Sequence, residues 1–230
     1  VLRSPRLYLG SLIKALIVVE MIDKNKINKT IIYETKKGAL IPFVKILRPK
    51  NSLFYCIFAD PYKYPDYYKK HKSWFKRSVE ATTKVFATSC YCADAYGNFT
   101  KTADPSVIYV GVDLERFHEM DPSEAREKIS ISDRPTILFL GRMVAEMGAY
   151  NALEIAEIIL SKDLDINFVI AGAEGDLTDE IKRRAEKYDG RLIVKTNIPM
   201  DDLPNYYGAS TICIAPTLGV QACMGVSIKE

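Results

Sequence analysis

Thr136-Ile137-Leu138-Phe139-Leu140-Gly141-Arg142 is a short strand-like run, apolar from Ile137 onward and closed by a glycine and a cation. A half-buried strand alternates apolar and polar residues. A strand apolar throughout belongs in a sheet covered on both faces. The same form recurs at 166–171, which ends Phe168-Val169-Ile170-Ala171 and is closed by Gly172, and more briefly at 192–195 and 211–215. Between these runs lie three helical segments: 149–160 with apolar residues at helical spacing, the charged 177–188 and the short 203–209. Asp121-Pro122-Ser123-Glu124 reads as a further helix start, with proline and acid in the first turn. Strands alternating with helices predict a parallel α/β sheet, which binds its ligand at the carboxyl ends of its strands.

Outward from this half, the pattern continues toward the amino terminus. Residues 11–21 have helical spacing and end in a polar turn at 23–26. A β-rich run at 30–34 precedes a helix expected over 38–47, with Pro42 near its first turn and Pro49 just past its end. Residues 53–59 read as a buried strand closed by Asp60-Pro61. A basic helix is expected over 66–81, a strand over 84–88, a helix over 89–98 and a strand over 107–110. The expected division is a partial first domain, 1–105, and a second domain, 106–230.

The 230 residues suit one large domain or two small ones. With 48% hydrophobic and 27% charged residues, the chain is that of an ordinary folded protein. A net charge of +3 argues against a protein dedicated to nucleic acid. The five cysteines lack the paired spacing of a zinc finger or ribbon and read as small buried thiols in a reduced, cytoplasmic chain. No apolar run reaches the roughly 18 residues of a membrane span, and the start does not read as a secretory signal. The chain stops inside what reads as the opening of a helix, so it is expected to be a fragment.

Four ordered stretches carry a resemblance. They are Ile108-Tyr109-Val110-Gly111-Val112-Asp113 with Phe117; Ile137 to Arg142 with Glu146 and Gly148; Phe168 to Gly172; and Ile198-Pro199 through Leu203, Tyr207 and Ala209 to Ile214-Ala215-Pro216, then Gly225 to Glu230. Together they resemble the donor domain of retaining glycosyltransferases of family 4, the glycosyl transferases group 1. The resemblance implies a GT-B fold: two Rossmann-like parallel-sheet domains facing a cleft, here a partial acceptor-side domain and a truncated donor domain. It also implies a hexosyltransferase using a UDP- or GDP-sugar on a glycan or lipid-linked acceptor, as in polysaccharide biosynthesis. The nucleotide-sugar is a substrate, and no protein-bound metal or other cofactor is expected.

Such a reaction expels a nucleoside diphosphate, whose developing charge must be stabilised. Arg142, after a buried strand and Gly141, has the fork geometry that suits phosphate; on spacing alone a strand-end arginine in a salt bridge is the plainer reading, and the ordered set of motifs favours phosphate. By resemblance, Met224, Gly225, Val226 and Ser227 form the phosphate-binding turn. Glu230 corresponds to the second acid of a paired-Glu motif that holds the ribose, or is a solvated first-turn residue. The loop at Gly172 lies near the nucleotide, or is merely a strand end. Ile198 matches the residue whose backbone faces the nucleobase. Three departures stand out: Met147 where the family has a second phosphate-binding lysine, Ala222 where it has the first acid, and no histidine after the strand that ends at Asp60. Asp60 is kept as an acceptor-side candidate, with a turn residue before Pro61 as the plainer reading.

Residues 62–84 interleave seven cations with Tyr62, Tyr64, Tyr67, Tyr68, Trp74 and Phe75. This suits an anionic membrane surface, or a solvated helix face over core aromatics; stacking of nucleic acid finds no other support. Met147, Ala222 and the missing histidine also admit a non-catalytic relative that binds nucleotide or glycan or pairs with an active subunit. A dinucleotide-dependent enzyme is disfavoured, because no strand is followed by Gly-x-Gly-x-x-Gly.

Overall fold

Two parallel sheets form where the apolar runs lie. The structure, a computed structural model, describes residues 5–33, 35–57, 65–101 and 104–217. The chain divides into two units, Val1–Val110 and Gly111–Glu230.

The first unit opens with helix α1 (Pro5–Lys24), longer at both ends than the spacing predicts. Strand β1 (Lys29–Tyr33) leads into a 3-10 turn, Thr35–Leu40, and helix α2 (Ile41–Leu47). The helix expected from residue 38 thus becomes regular only at Ile41. Pro42 explains this: it supplies no N–H and is tolerated only in a helix's first turn. Strand β2 (Ser52–Ile57), helix α3 (Pro65–Glu80), strand β3 (Lys84–Ala87), helix α4 (Cys90–Thr100) and the short strand β4 (Ser106–Val107) follow. The side chain of Ser89 caps α4 by accepting from the Cys92 amide at 3.1 Å. β4 pairs with β3, so the first unit runs to Val110 rather than ending at 105.

The sheet order is β1-β2-β3-β4, all parallel. Right-handed crossovers in one direction place α2, α3 and α4 on one face, where α3 packs against both α2 and α4. Ile32, Leu53, Tyr55, Ile57, Val85 and Ala87 are buried. Ile31 and Tyr33, at alternate positions of β1, are exposed. Of this sheet, then, the described residues cover one face well and leave part of the other open. Two covered faces are the expectation for the apolar strands of the second half.

The second unit meets that expectation at its two central strands. Asp121 caps helix α5 (Pro122–Lys128), accepting from the Ser123 and Glu124 amides at 2.9 and 3.0 Å. Strand β5 (Thr136–Leu140), helix α6 (Ala149–Leu160), strand β6 (Asn167–Gly172), helix α7 (Thr178–Ala185), strand β7 (Leu192–Thr196), helix α8 (Leu203–Ala209) and strand β8 (Ile212–Ile214) follow. Phe139, Phe168 and Ile170 pack with Ala149, Ala152, Leu153, Ala156 and Leu160 of α6 and Ile181 of α7. The intervening Leu138, Val169 and Ala171 pack with Ala125 and Ile129 of the α5 side and Tyr206 and Ala209 of α8. The central strands β5 and β6 therefore bury both of their faces, which is why their sequences do not alternate, while edge strand β8 leaves Ile212 and Cys213 exposed. At about 25 cal/mol per Å² of apolar surface, a fully buried Leu or Phe contributes roughly 1.5–3 kcal/mol, so these two layers hold the unit together.

The architecture is α/β, with one parallel sheet in each unit. Among the described residues no helix is long and apolar enough to cross a membrane. Cys92 is buried, with its thiol 3.7 Å from the Ile57 carbonyl, but Cys90 and Cys213 are exposed. The expectation of uniformly buried thiols fails at those two because they sit at a helix start and on an edge strand.

Candidate functional site

The second sheet has the order β7-β6-β5-β8. The chain moves outward from β5 through β6 to β7, then returns by α8 to β8 on the other side of β5. This reversal opens a crevice at the carboxyl ends of β5 and β8, where parallel α/β sheets bind ligands. Gly141 and Arg142 leave β5 there, and Ala215, Pro216 and Thr217 leave β8.

The amino terminus of α6 is seated in the same crevice. Gly148, its capping residue, has φ +80°, and a Cβ on it would fall 2.0 Å from the Pro216 carbonyl oxygen. Only glycine permits both the left-handed backbone and this approach. The Asn151 side chain donates to the same carbonyl at 3.3 Å. A 12-residue helix thus points its partial positive charge toward the β5–β8 crevice.

Arg142 is exposed at this point. It has no ion-pair partner among the described residues, so the strand-end salt bridge is not formed. The residue after it, Met143, is fully buried, and its amide donates to the Ala173 carbonyl at 2.9 Å. Among the described residues the guanidinium thus has no ion-pair partner, while its backbone is anchored.

Gly172 has φ +139°, and a Cβ there would fall 2.1 Å from the Gly141 carbonyl oxygen. The Gly141 amide donates to Ala171 and the Asn197 amide to Gly172, both at 2.9 Å. Backbone bonds thus stitch the exits of β5, β6 and β7 together beyond the strands proper. Asn197 takes a left-handed turn at φ +54°. Ile198, next in line, is half-buried and packs on the α8 side of the sheet. Glu174 joins these loops. Hydrogen bonds from Thr196 first, then Lys182, hold its carboxyl below the usual glutamate range, and Asn197 adds a smaller contribution. The Lys182 ammonium lies 3.4 Å from the Glu174 carboxylate.

The structure therefore brings Gly141, Arg142, Gly172 and Ile198 to one edge of one sheet. Asp60, Met224, Gly225, Val226, Ser227 and Glu230 lie outside the described residues, as does Ala222. Met147 is partly buried and packs on the α6 layer, so its side chain serves the core. Sequence reasoning missed Asn151, Glu174 and Asn197. The polar Asn151 in the first turn of an otherwise apolar helix was the one legible signal. Among the described residues no cluster of three or more His, Cys, Asp or Glu side chains is arranged to hold a metal.

In the first unit, helix α3 divides the 62–84 stretch. Trp74 and Phe75 are buried, and the Trp74 indole donates to the Ala39 carbonyl at 2.7 Å. Lys69, Lys70, Lys72, Lys76 and Arg77 face outward. The cations and these two aromatics thus lie on opposite sides of the helix.

Residues 121–225 match the family described as glycosyl transferases group 1. The match takes in just under half of the chain, including the strands that form the β5–β8 crevice. The chain is 40% identical over 98 residues to alpha-D-kanosaminyltransferase of Streptomyces kanamyceticus, covering 41% of this chain and 25% of that protein. It is 29% identical over 115 residues to YtcC of Bacillus subtilis (strain 168), covering 44% and 28%. The chain thus spans little more than a quarter of the curated relatives it matches. Among solved structures, alpha,alpha-trehalose-phosphate synthase (UDP-forming) from Burkholderia vietnamiensis aligns with a TM-score of 0.72 at 11% identity, over 96% of this chain and 60% of that one. Anabaena Alr3699/HepE, solved in complex with UDP, aligns with a TM-score of 0.66 at 14% identity, over 88% and 56%. At these identities the likeness is one of fold.

Proposed function

We propose that this chain is part of a nucleotide-sugar-dependent glycosyltransferase, which transfers a hexose from a UDP- or GDP-sugar to a glycan or lipid-linked acceptor with retention. The observation that carries this reading is Arg142: an exposed guanidinium with no ion-pair partner among the described residues, at the topological switch point and beside the amino terminus of α6. As the bond from the anomeric carbon to the leaving oxygen breaks, negative charge builds on the departing diphosphate. A fixed cation and a helix amino terminus stabilise that charge without reorganising. The kanosaminyltransferase relative and the UDP held by the HepE structure support a nucleotide-sugar as the donor. In this reading the second unit binds the donor, and the first serves the acceptor. The exposed cations of α3 support contact with an anionic lipid surface.

The test is calorimetric titration with UDP and GDP. Arg142→Ala is expected to weaken the tighter of the two by about tenfold to a hundredfold, the loss of one charge-assisted hydrogen-bonding group at roughly 1.5–3 kcal/mol. The thermal midpoint should not move. Unchanged affinity removes Arg142 from the site. A second reading, a relative that binds nucleotide without turning it over, is favoured by the core-facing Met147 and excluded by any hydrolysis or transfer of the donor sugar.

A further inference from the structure

One wall of the crevice is the chain that leaves β8, and the strand itself fixes that wall weakly. β8 is three residues long, lies at the edge of the sheet and pairs with β5. Its Ile212 and Cys213 are exposed. A segment with so few buried contacts opens at little cost.

What seats the β8 exit lies on α6, and it converges on one atom, the Pro216 carbonyl oxygen. The side-chain amide of Asn151 donates to it at 3.3 Å. Gly148, three residues earlier, makes room for it: a Cβ there would fall 2.0 Å from that oxygen and 2.9 Å from the Thr217 amide nitrogen. Residues three apart share one side of a helix, so the gap and the donor face the loop together. The loop is tight at this point, with the Thr217 amide donating to the Ala215 carbonyl at 2.8 Å. Gly148 permits the approach, and Asn151 supplies the side-chain bond that holds it.

The placement of Asn151 has no local explanation. Asparagine is among the poorer residues for a helix interior. It serves best when its side chain caps its own helix. Here α6 has no side-chain cap, and the half-buried Asn151 bonds the loop instead. The helix terminus it ties to that loop is the one beside Arg142.

We infer that Asn151 is a positioning residue for the diphosphate side of the donor site, holding the β8 exit at Pro216 against the amino terminus of α6 before a ligand arrives. The inference rests on the proposed function. It adds to the charge of Arg142 a side chain that keeps the wall of the crevice in place.

The experiment titrates the full chain with UDP, GDP and inorganic pyrophosphate, and records the thermal midpoint of each variant. Asn151→Ala is expected to weaken pyrophosphate and the tighter nucleotide alike by about threefold to tenfold, the penalty for ordering a segment that the native protein holds ready. Its thermal midpoint should stay within about 3 °C, because the better helix propensity of alanine offsets the lost neutral hydrogen bond. Asn151→Gln keeps the amide donor and should bind more tightly than Asn151→Ala. Unchanged pyrophosphate affinity in Asn151→Ala overturns the inference and leaves the proposed function standing; a lower midpoint in that case marks the bond as structural only. If the native chain binds neither UDP nor GDP, the proposed function fails and this inference with it.

Discussion

Replacing Gly172 with alanine tests the tight approach of the β5 and β6 exits on which the site is built. The new methyl carbon would lie 2.1 Å from the Gly141 carbonyl oxygen, whereas ordinary contact begins at 3.4 Å. The two loops must separate by more than 1 Å, and both are pinned by the Gly141–Ala171 and Asn197–Gly172 backbone bonds. Overpacking of this kind costs about 1–3 kcal/mol. Holding alanine at φ +139° adds about 1–3 kcal/mol of backbone strain. The expected loss is about 2–6 kcal/mol, or roughly 8 °C or more in the melting of a unit of this size. Gly190→Ala is the matched control. Gly190 has φ +74°, but nothing lies within 4 Å of its added methyl. Only the left-handed strain of about 1–2 kcal/mol applies. Urea denaturation followed by far-UV circular dichroism measures both variants, with Trp74 fluorescence recorded in parallel to mark the first unit. Nucleotide affinity should fall for Gly172→Ala, because Arg142 directly follows Gly141, and not for Gly190→Ala. Equal destabilisation by the two variants would refute the argument, since strain alone would then account for both.

Two further outcomes are expected. Arg184 spans α7 to α6 by hydrogen bonding through Nε to Glu157 at 2.7 Å, and a second nitrogen bonds the other carboxylate oxygen; its guanidinium also lies 5.7 Å from the Tyr150 ring centre. The pair is only about one-fifth exposed, so Arg184→Ala should cost roughly 1.5–3 kcal/mol, most of it absent in a Glu157→Gln background; additive losses in the double-mutant cycle would show the pair to be uncoupled. His71 is buried on α3, where desolvation and then Lys70 hold its imidazole below the usual range, so the folded chain takes up its proton later than the unfolded chain. Its contribution to stability is present above about pH 6.5 and lost as pH falls through the lower folded value; the urea midpoint read by Trp74 fluorescence should drop on acidification, and a slope unchanged in His71→Asn would rule His71 out as its source.

Much of the second unit was legible because its strands bury both faces. A strand such as Phe168-Val169-Ile170-Ala171 cannot be apolar throughout and stable in water unless two helical layers cover it. Caps were legible for the same local reason: Asp121 before Pro122 needs only its own next residues to bond their amides. The first unit was read less well. The 62–84 stretch shows why: a list of cations and aromatics has no sides until a helix turns Trp74 and Phe75 inward and the lysines outward. Composition set the ingredients, and the 3.6-residue turn of α3 sorted them.

By itself, then, the sequence determined the element types, the parallel class and the strand end at which chemistry belongs, because these follow from burial and capping within a few residues. It also placed Arg142 at a strand end. Tertiary structure alone decided that this end is the switch point, since strand order depends on which distant runs pair. It decided that Gly148 admits the Pro216 carbonyl and Gly172 the Gly141 carbonyl, contacts between loops far apart in the chain. It decided too that Arg142 makes no ion pair among the described residues and that Glu174 pairs with Lys182, because a side chain's partners are set by packing, which no local pattern records.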